Sequence, residues 1–156
     1  QDKGICIYNS KKETLEIPGK YRNWKYGQIN TILSLENELW FSTETSGLVH
    51  DNGMERSRLQ NFENSEKLNF SKTGSLLSDN ENNIWFTYEG GVVRSTGSKL
   101  QFLSLPDSSP INFVHSLLCD SKNNLWFTPD QGLVSCSLVD SVKEKIKKFS
   151  RYYTIN

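Results

Sequence analysis

One phrase occurs three times along this chain and limits what it can fold into. It reads LWFST at 39–43, IWFTY at 84–88 and LWFTP at 125–129. A polar turn rich in Asn, Asp and Glu precedes each copy, and a Gly with an aliphatic pair follows: Gly47-Leu48-Val49, Gly91-Val92-Val93 and Gly132-Leu133-Val134. A fourth such element, Gly4-Ile5-Cys6-Ile7, stands near the start with no Trp phrase before it. The Gly spacings are 43, 44 and 41 residues, and the Trp spacings from Trp40 to Trp85 to Trp126 are 45 and 41. A period in the low forties demands a repeat architecture.

Each repeat parses into four short strands separated by turn residues. The second runs 74–78, a turn at 79–83, 84–87, a turn at 89–90, 91–95, a turn at 96–98 and 100–105. The third runs 114–119, 125–128, 133–136 and a last run near 149–154. The first runs 29–35, 38–43, 48–50 and a weak run at 57–62. Strands of about five residues with Asn, Asp and Gly turns at regular intervals are an all-β pattern. Leu35 fills the slot that Asp79 and Asp120 occupy in the later copies, so a different turn is expected before Trp40. Radially stacked four-stranded sheets bury both faces, and Trp40, Trp85 and Trp126 are expected to fill the wedge between them. Gly47, Gly91 and Gly132 are expected to turn tightly into the next strand.

Composition agrees. Aromatic residues reach 12% and alanine is absent, which disfavours long helices. Eighteen basic residues balance eighteen acidic ones, so there is no global electrostatic case for nucleic acid or an anionic membrane. No apolar run is long enough to span a bilayer. The start lacks the basic and apolar regions of a secretion signal, and any such signal is expected to lie outside this chain or to have been removed. Cys6, Cys119 and Cys136 read as small apolar strand residues, with one disulfide an open alternative.

Two stretches depart from the repeat. Residues 21–26 are dense in aromatics and positive charge, and residues 138–148 carry Val142 and Ile146, with Phe149 beyond, at helical spacing. Ser141 with Glu144 would cap a short helix there, its lysines at 143, 145, 147 and 148 forming a solvated face.

The phrases SLLSDNENNIWFTYEGGVVRS and SLLCDSKNNLWFTPDQGLVSC resemble the two-component regulator propeller repeat: an aliphatic strand, Asp, a polar turn, Leu/Ile-Trp-Phe with Thr close behind, then Gly and an aliphatic strand. The resemblance implies a β-propeller fragment of about three and a half four-stranded antiparallel blades. The divisions are a half blade at 1–20 and blades at 21–66, 67–108 and 109–156. It also implies a periplasmic, extracytoplasmic sensor segment of a hybrid two-component receptor of gut bacteria of the Bacteroides type, with a histidine kinase elsewhere and an oligosaccharide as signal. A protein-interaction or dimerisation scaffold is the alternative. An incomplete ring implies either a piece of a longer protein or self-association of two copies into about seven blades.

The Trp phrases also resemble the streptogramin lyase propeller. The strand after the turn departs from that family's Ile-Gly-containing pattern, and its catalytic His/Glu pair finds no match. Neither His50 nor His115 has a metal-ligand partner at a suitable sequence spacing, and Gly-x-Ser-x-Gly, phosphate-loop and HExxH motifs do not occur. The expectation is a binding protein without catalytic residues, metal or cofactor. A sugar site needs flat aromatics and planar polar groups. Among the loops after the Trp phrases and between blades, Trp24, Tyr26 and Tyr88 offer the first, and Arg22, Glu89 and Asp130 the second. Packing between blades and solvated charge are the alternatives for the same residues.

Overall fold

The computed structural model describes residues 5–59, 72–89, 91–96, 99–103, 114–130 and 132–138, with the backbone of 149–152. The helix expected at 138–148 and the inter-blade crossings at 64–72 and 107–112 lie outside these residues, apart from Lys72 and Leu138.

The described fold is all-β. A two-stranded sheet joins β1 (Ile7–Asn9) to β2 (Thr14–Glu16), and a single 3-10 turn, Gly19–Tyr21, follows. Three four-stranded antiparallel sheets come next. The first orders β3 (Ile29–Leu35), β4 (Glu38–Thr43), β5 (Leu48–Asp51) and β6 (Arg56–Arg58). The second orders β7 (Thr73–Ser78), β8 (Ile84–Tyr88), β9 (Gly91–Thr96) and β10 (Lys99–Phe102). The third orders β11 (Val114–Cys119), β12 (Asn124–Pro129), β13 (Leu133–Ser137) and β14 (Phe149–Tyr152). Strand neighbours in sequence are neighbours in space, as short connections favour. The ring is open among the described residues. Gly47, Gly91 and Gly132 enter the third strand of each sheet with φ of 72°, 131° and 83°, in the left-handed region that Gly adopts without steric cost.

The sheets stack face to face through alternating side chains. Trp40, Leu33 and Leu48 of the first sheet pack with Leu76, Phe86 and Val93 of the second. Trp85 and Val92 of the second pack with Phe127, Val134 and Leu125 of the third. Ile5, Tyr21 and Tyr26 pack with Phe41 and Val49 on the opposite face of the first sheet. Each sheet thus presents a Phe-Val face backwards and a Trp face forwards.

The turns that hold the Trp residues come in two designs. In DNENNIW and DSKNNLW, Asp79 and Asp120 fold over their own turns. Asp79 Oδ1 accepts the backbone N–H groups of Glu81 and Asn83 at 3.0 and 2.9 Å, and Oδ2 accepts Trp85 Nε1–H at 2.8 Å. Asp120 repeats this with Lys122, Asn124 and Trp126, the last again at 2.8 Å. Asn82 and Asn123 supply the left-handed residue, with φ of 63° and 61°. In the first sheet, Glu36 and Asn37 form a two-residue turn with φ of 51° and 67°, the signature of a type I′ hairpin. Such a turn leaves no slot for the Asp. Trp40 is instead covered by the His50 ring, stacked 4.0 Å away at 16°, whose Nε2 lies 2.7 Å from Glu38 Oε2.

Candidate functional site

The first strand of every four-stranded sheet carries one extra residue at the same level. Ile29 faces Thr43 while Thr31 faces Ser42; Thr73 faces Tyr88 while Leu76 faces Phe86; Val114 faces Pro129 while Leu117 faces Phe127. These are β-bulges, which bend a strand and re-aim its side chains. They place Asn30, Gly74 and His115 at equivalent positions, and all three line one pocket of about 210 Å³ together with Lys72, Tyr88 and Glu89.

Hydrogen bonds between sheets hold the bulges in place. Asn30 Nδ2 donates to Thr73 O at 2.7 Å, Ser75 Oγ to His115 O at 3.1 Å, and Ser42 Oγ to Gly74 O. The floor of the pocket is internally satisfied: Thr73 Oγ1 accepts Thr43 N–H at 3.0 Å, and Thr87 Oγ1 accepts Ser75 N–H at 2.9 Å. A Cβ at Gly74 would lie 2.6 Å from Thr87 Oγ1, so the close approach of the two strands requires glycine there.

The walls bear the recognisable chemistry. His115 Nε2 lies 3.2 Å from Asp130 Oδ1, both residues being well exposed. Tyr88 is half-buried, set edge-on to Phe102 at 6.0 Å, and burial raises its phenol pKa above the ordinary value. Glu89 is exposed beside it. The pocket therefore joins an aromatic wall, an amide, one carboxylate, a lysine and an imidazole that carries a second carboxylate, Asp130, behind it. Among the described residues, no three His, Cys, Asp or Glu side chains gather as metal ligands.

The six residues singled out from sequence separate into two places. Tyr88 and Glu89 line the pocket, and Asp130 reaches it through His115. Trp24 and Tyr26 lie instead in the wedge between the two-stranded sheet and the first full one. Trp24 is set edge-on to Tyr26 at 5.1 Å and to Phe41 at 5.0 Å, and its Nε1–H donates to Gly27 O at 2.7 Å. Tyr26 is buried, its hydroxyl 3.3 Å from Arg56 O. Residues 21–26 take the aromatic role that a Trp phrase plays elsewhere, which accounts for their density of rings. Arg22 is exposed at the end of the 3-10 turn.

Both histidines have carboxylate partners that linear spacing hid. Glu38 precedes His50 by 12 residues, and Asp130 follows His115 by 15; strand pairing and a turn bring each pair together. The Asp-to-Trp bonds also escaped the sequence reading, although the spacing D-x-x-N-N-aliphatic-W marks both. Asp120 is held below the usual carboxylate range, first by the Trp126 N–H and then by Asn124. Asp51, buried behind the first sheet, feels a desolvation that raises its pKa. Hydrogen bonds from Tyr21 Oη at 2.7 Å and Gly53 N at 2.8 Å, with Lys20 at 3.2 Å, outweigh it and leave the pKa lowered. The cysteines are free thiols: Cys6 is exposed outside a strand, Cys119 half-buried, and Cys136 buried with its thiol pushed up to about 12.

Sheets of four antiparallel strands, ordered as in the chain and stacked through a Trp on one face and a Phe on the other, define a β-propeller segment. The comparisons with solved structures agree on this fold. The extracellular domain of the hybrid two-component system protein BT4673 from B. thetaiotaomicron superposes with a TM-score of 0.68 at 17% identity, over 98% of this chain and 22% of that one. Virginiamycin B lyase from Staphylococcus aureus superposes with a TM-score of 0.63 at 15% identity, over 98% of this chain and 49% of the lyase. A second streptogramin B lyase structure gives 0.64 at 16% identity, over 98% and 48%. The chain thus spans about a fifth of that extracellular domain and about half of each lyase. No family model and no curated protein matches the sequence.

Proposed function

We propose that this chain is a segment of the extracytoplasmic, ligand-sensing propeller of a two-component receptor, and that the inner-strand pocket takes one ring of an oligosaccharide. The observation that supports it is the convergence of Tyr88, Glu89 and the His115–Asp130 pair on a pocket of about 210 Å³, in a fold shared over 98% of the chain with a two-component extracellular domain. A pyranose ring offers an apolar face and a fan of hydroxyls. The Tyr88 ring answers the first, and planar carboxylate and amide groups answer the second, each able to bond two neighbouring hydroxyls. Residues that differ between sheets at one structural level supply this chemistry, while the repeated Trp residues build the frame.

A glycan array probed with the intact protein, followed by calorimetry on hits, tests the reading. Tyr88→Leu, which removes the flat ring but keeps apolar bulk, and Glu89→Gln, which removes a charged acceptor, are each expected to weaken binding by about tenfold. An array without hits, or affinities unchanged in both variants, overturns it. The lyase superpositions share the fold, and turnover of a streptogramin by the intact protein would favour that activity instead.

A further inference from the structure

The crossing at 20–26 and strand β6 build a cluster of positive charge that the pocket does not use. Lys20, Arg22 and Lys25 of the crossing are exposed, and β6, the outermost strand of the first full sheet, adds exposed Arg58 and half-buried Arg56. Arg56 and Arg58 stand two residues apart on a strand and so share one face. There each meets a tyrosine of the crossing: Arg56 Cζ lies 5.6 Å from the centre of the Tyr21 ring, and Arg58 Cζ 5.8 Å from that of Tyr26. Each ring also takes its neighbouring lysine, with Lys20 Nζ 4.8 Å from Tyr21 and Lys25 Nζ 5.8 Å from Tyr26. The ring quadrupoles attract these cations and fix four long side chains along the rim.

Few anions answer them. Lys20 pairs with Asp51 at 3.2 Å, and among the described residues no carboxylate forms an ion pair with Arg22, Lys25, Arg56 or Arg58. Like charges grouped in this way repel, and Arg56 Nη1 is buried with no hydrogen-bond partner among the described residues. An aliphatic side chain would cover either ring without these costs, so packing alone does not account for the charge. The cluster also adjoins the pocket end of the sheet. Arg58 pairs with Val49 at the end of the sheet where Ile29 faces Thr43, and its Nη2 donates to Ser46 Oγ at 2.7 Å in the turn after the first Trp phrase. Glu44 N–H donates to Gln28 O at 2.9 Å, tying that turn to the crossing, which runs on into Asn30 of the pocket.

We infer that this rim is an anion site for an acidic oligosaccharide, one that bears sulfate or uronate carboxylate groups. A glycan is the occupant because the cations lie at the pocket end of the sheet, which rests on the reading of the pocket proposed above; the demand for negative charge stands apart from it. Guanidinium forks bond sulfate and carboxylate oxygens in pairs. The rings beneath the cations are buried or half-buried, so the cluster presents charge with no apolar side chain to enter a bilayer.

Titrating the protein into fluorescent dextran sulfate and oligogalacturonate, with uncharged dextran as control, tests the site. Both acidic probes are expected to bind, dextran is not, and added salt is expected to weaken the binding. Arg58→Gln and Lys25→Gln are each expected to weaken it by about tenfold, the value of one hydrogen bond to a charged group. Arg58→Lys, which keeps the charge and loses the fork, is expected to cost about threefold. Lys122→Gln makes the same charge change on an exposed turn of the third sheet and is expected to have no effect. A failure of the pocket reading shows in Tyr88→Leu and Glu89→Gln, which leave the rim intact, whereas a failure here shows in Arg58→Gln and Lys25→Gln, which leave the pocket intact. Equal uptake of dextran and the acidic probes, equal effects of Arg58→Gln and Lys122→Gln, or tighter binding to phosphatidylglycerol vesicles or to polyglutamate than to either acidic glycan would each overturn the inference.

Discussion

Replacing Asp79 by Ala tests how the Trp wedge is held. The side chain is buried and accepts bonds from Glu81 N, Asn83 N, Asn83 Nδ2 and Trp85 Nε1, and Arg94 Nε lies 3.8 Å away. Without the carboxylate, the indole N–H of a Trp only 2% exposed has no acceptor, at a cost of about 1–3 kcal/mol. The two turn amides lie nearer solvent and can bond water, so each contributes about 1 kcal/mol. Arg94 keeps its 2.9 Å bond to Glu81, which limits the penalty on that side. The sum is about 3–5 kcal/mol. With a urea slope of about 2 kcal/mol per molar, the unfolding midpoint falls by roughly 2 M. Asp79→Asn retains one carbonyl acceptor, and about 1–2 kcal/mol is expected for it. Urea titrations followed by Trp fluorescence on both variants and the parent measure the ordering. A midpoint change below about 0.3 M in Asp79→Ala, or equal losses in the Ala and Asn variants, would refute the reasoning.

Gly74→Ala forces a Cβ to 2.6 Å from the Thr87 hydroxyl, and a loss of about 1–3 kcal/mol is expected. Adding Thr87→Ala should return part of it, and strict additivity in that double-mutant cycle would disprove the clash. Acid should also destabilise the fold in a defined window. Asp51 and Asp120 have pKa values lowered on folding, so the native state binds fewer protons than the unfolded chain. Their stabilisation is complete above the unfolded value of about 3.9 and is lost as pH falls through the folded values. Urea midpoints should therefore drop below about pH 4, less so in Asp120→Asn, and a flat profile to pH 2.5 would contradict it.

Much of this molecule could be read from linear order because its sheets pair strands adjacent in sequence. The Trp phrases, the Gly entries and even the altered turn before Trp40 are local features, and local sequence specifies them: Leu35 in the Asp slot leads to a two-residue hairpin. The candidate site was legible only in part. Tyr88, Glu89 and Asp130 stand at or just past the ends of the Trp phrases, where the copies diverge; Tyr88 and Glu89 line one pocket, and Asp130 meets it only through His115. Trp24 and Tyr26 carry the same chemistry in sequence but lie in a wedge that no Trp phrase fills. Whether an aromatic ring is wall or filler depends on what stacks against it, which periodicity does not encode.

Repetition at a period near forty-three residues was enough to dictate stacked antiparallel sheets, because a lone four-stranded unit cannot bury its two faces. Tertiary structure decided the rest. One extra residue in β3, β7 and β11 aligns Asn30, Gly74 and His115 on a single pocket, and pairing across strands gives each histidine its carboxylate. Those relations join residues 12 to 85 positions apart, from different strands and sheets, and they arise only when hydrogen-bond register and inter-sheet packing are satisfied together.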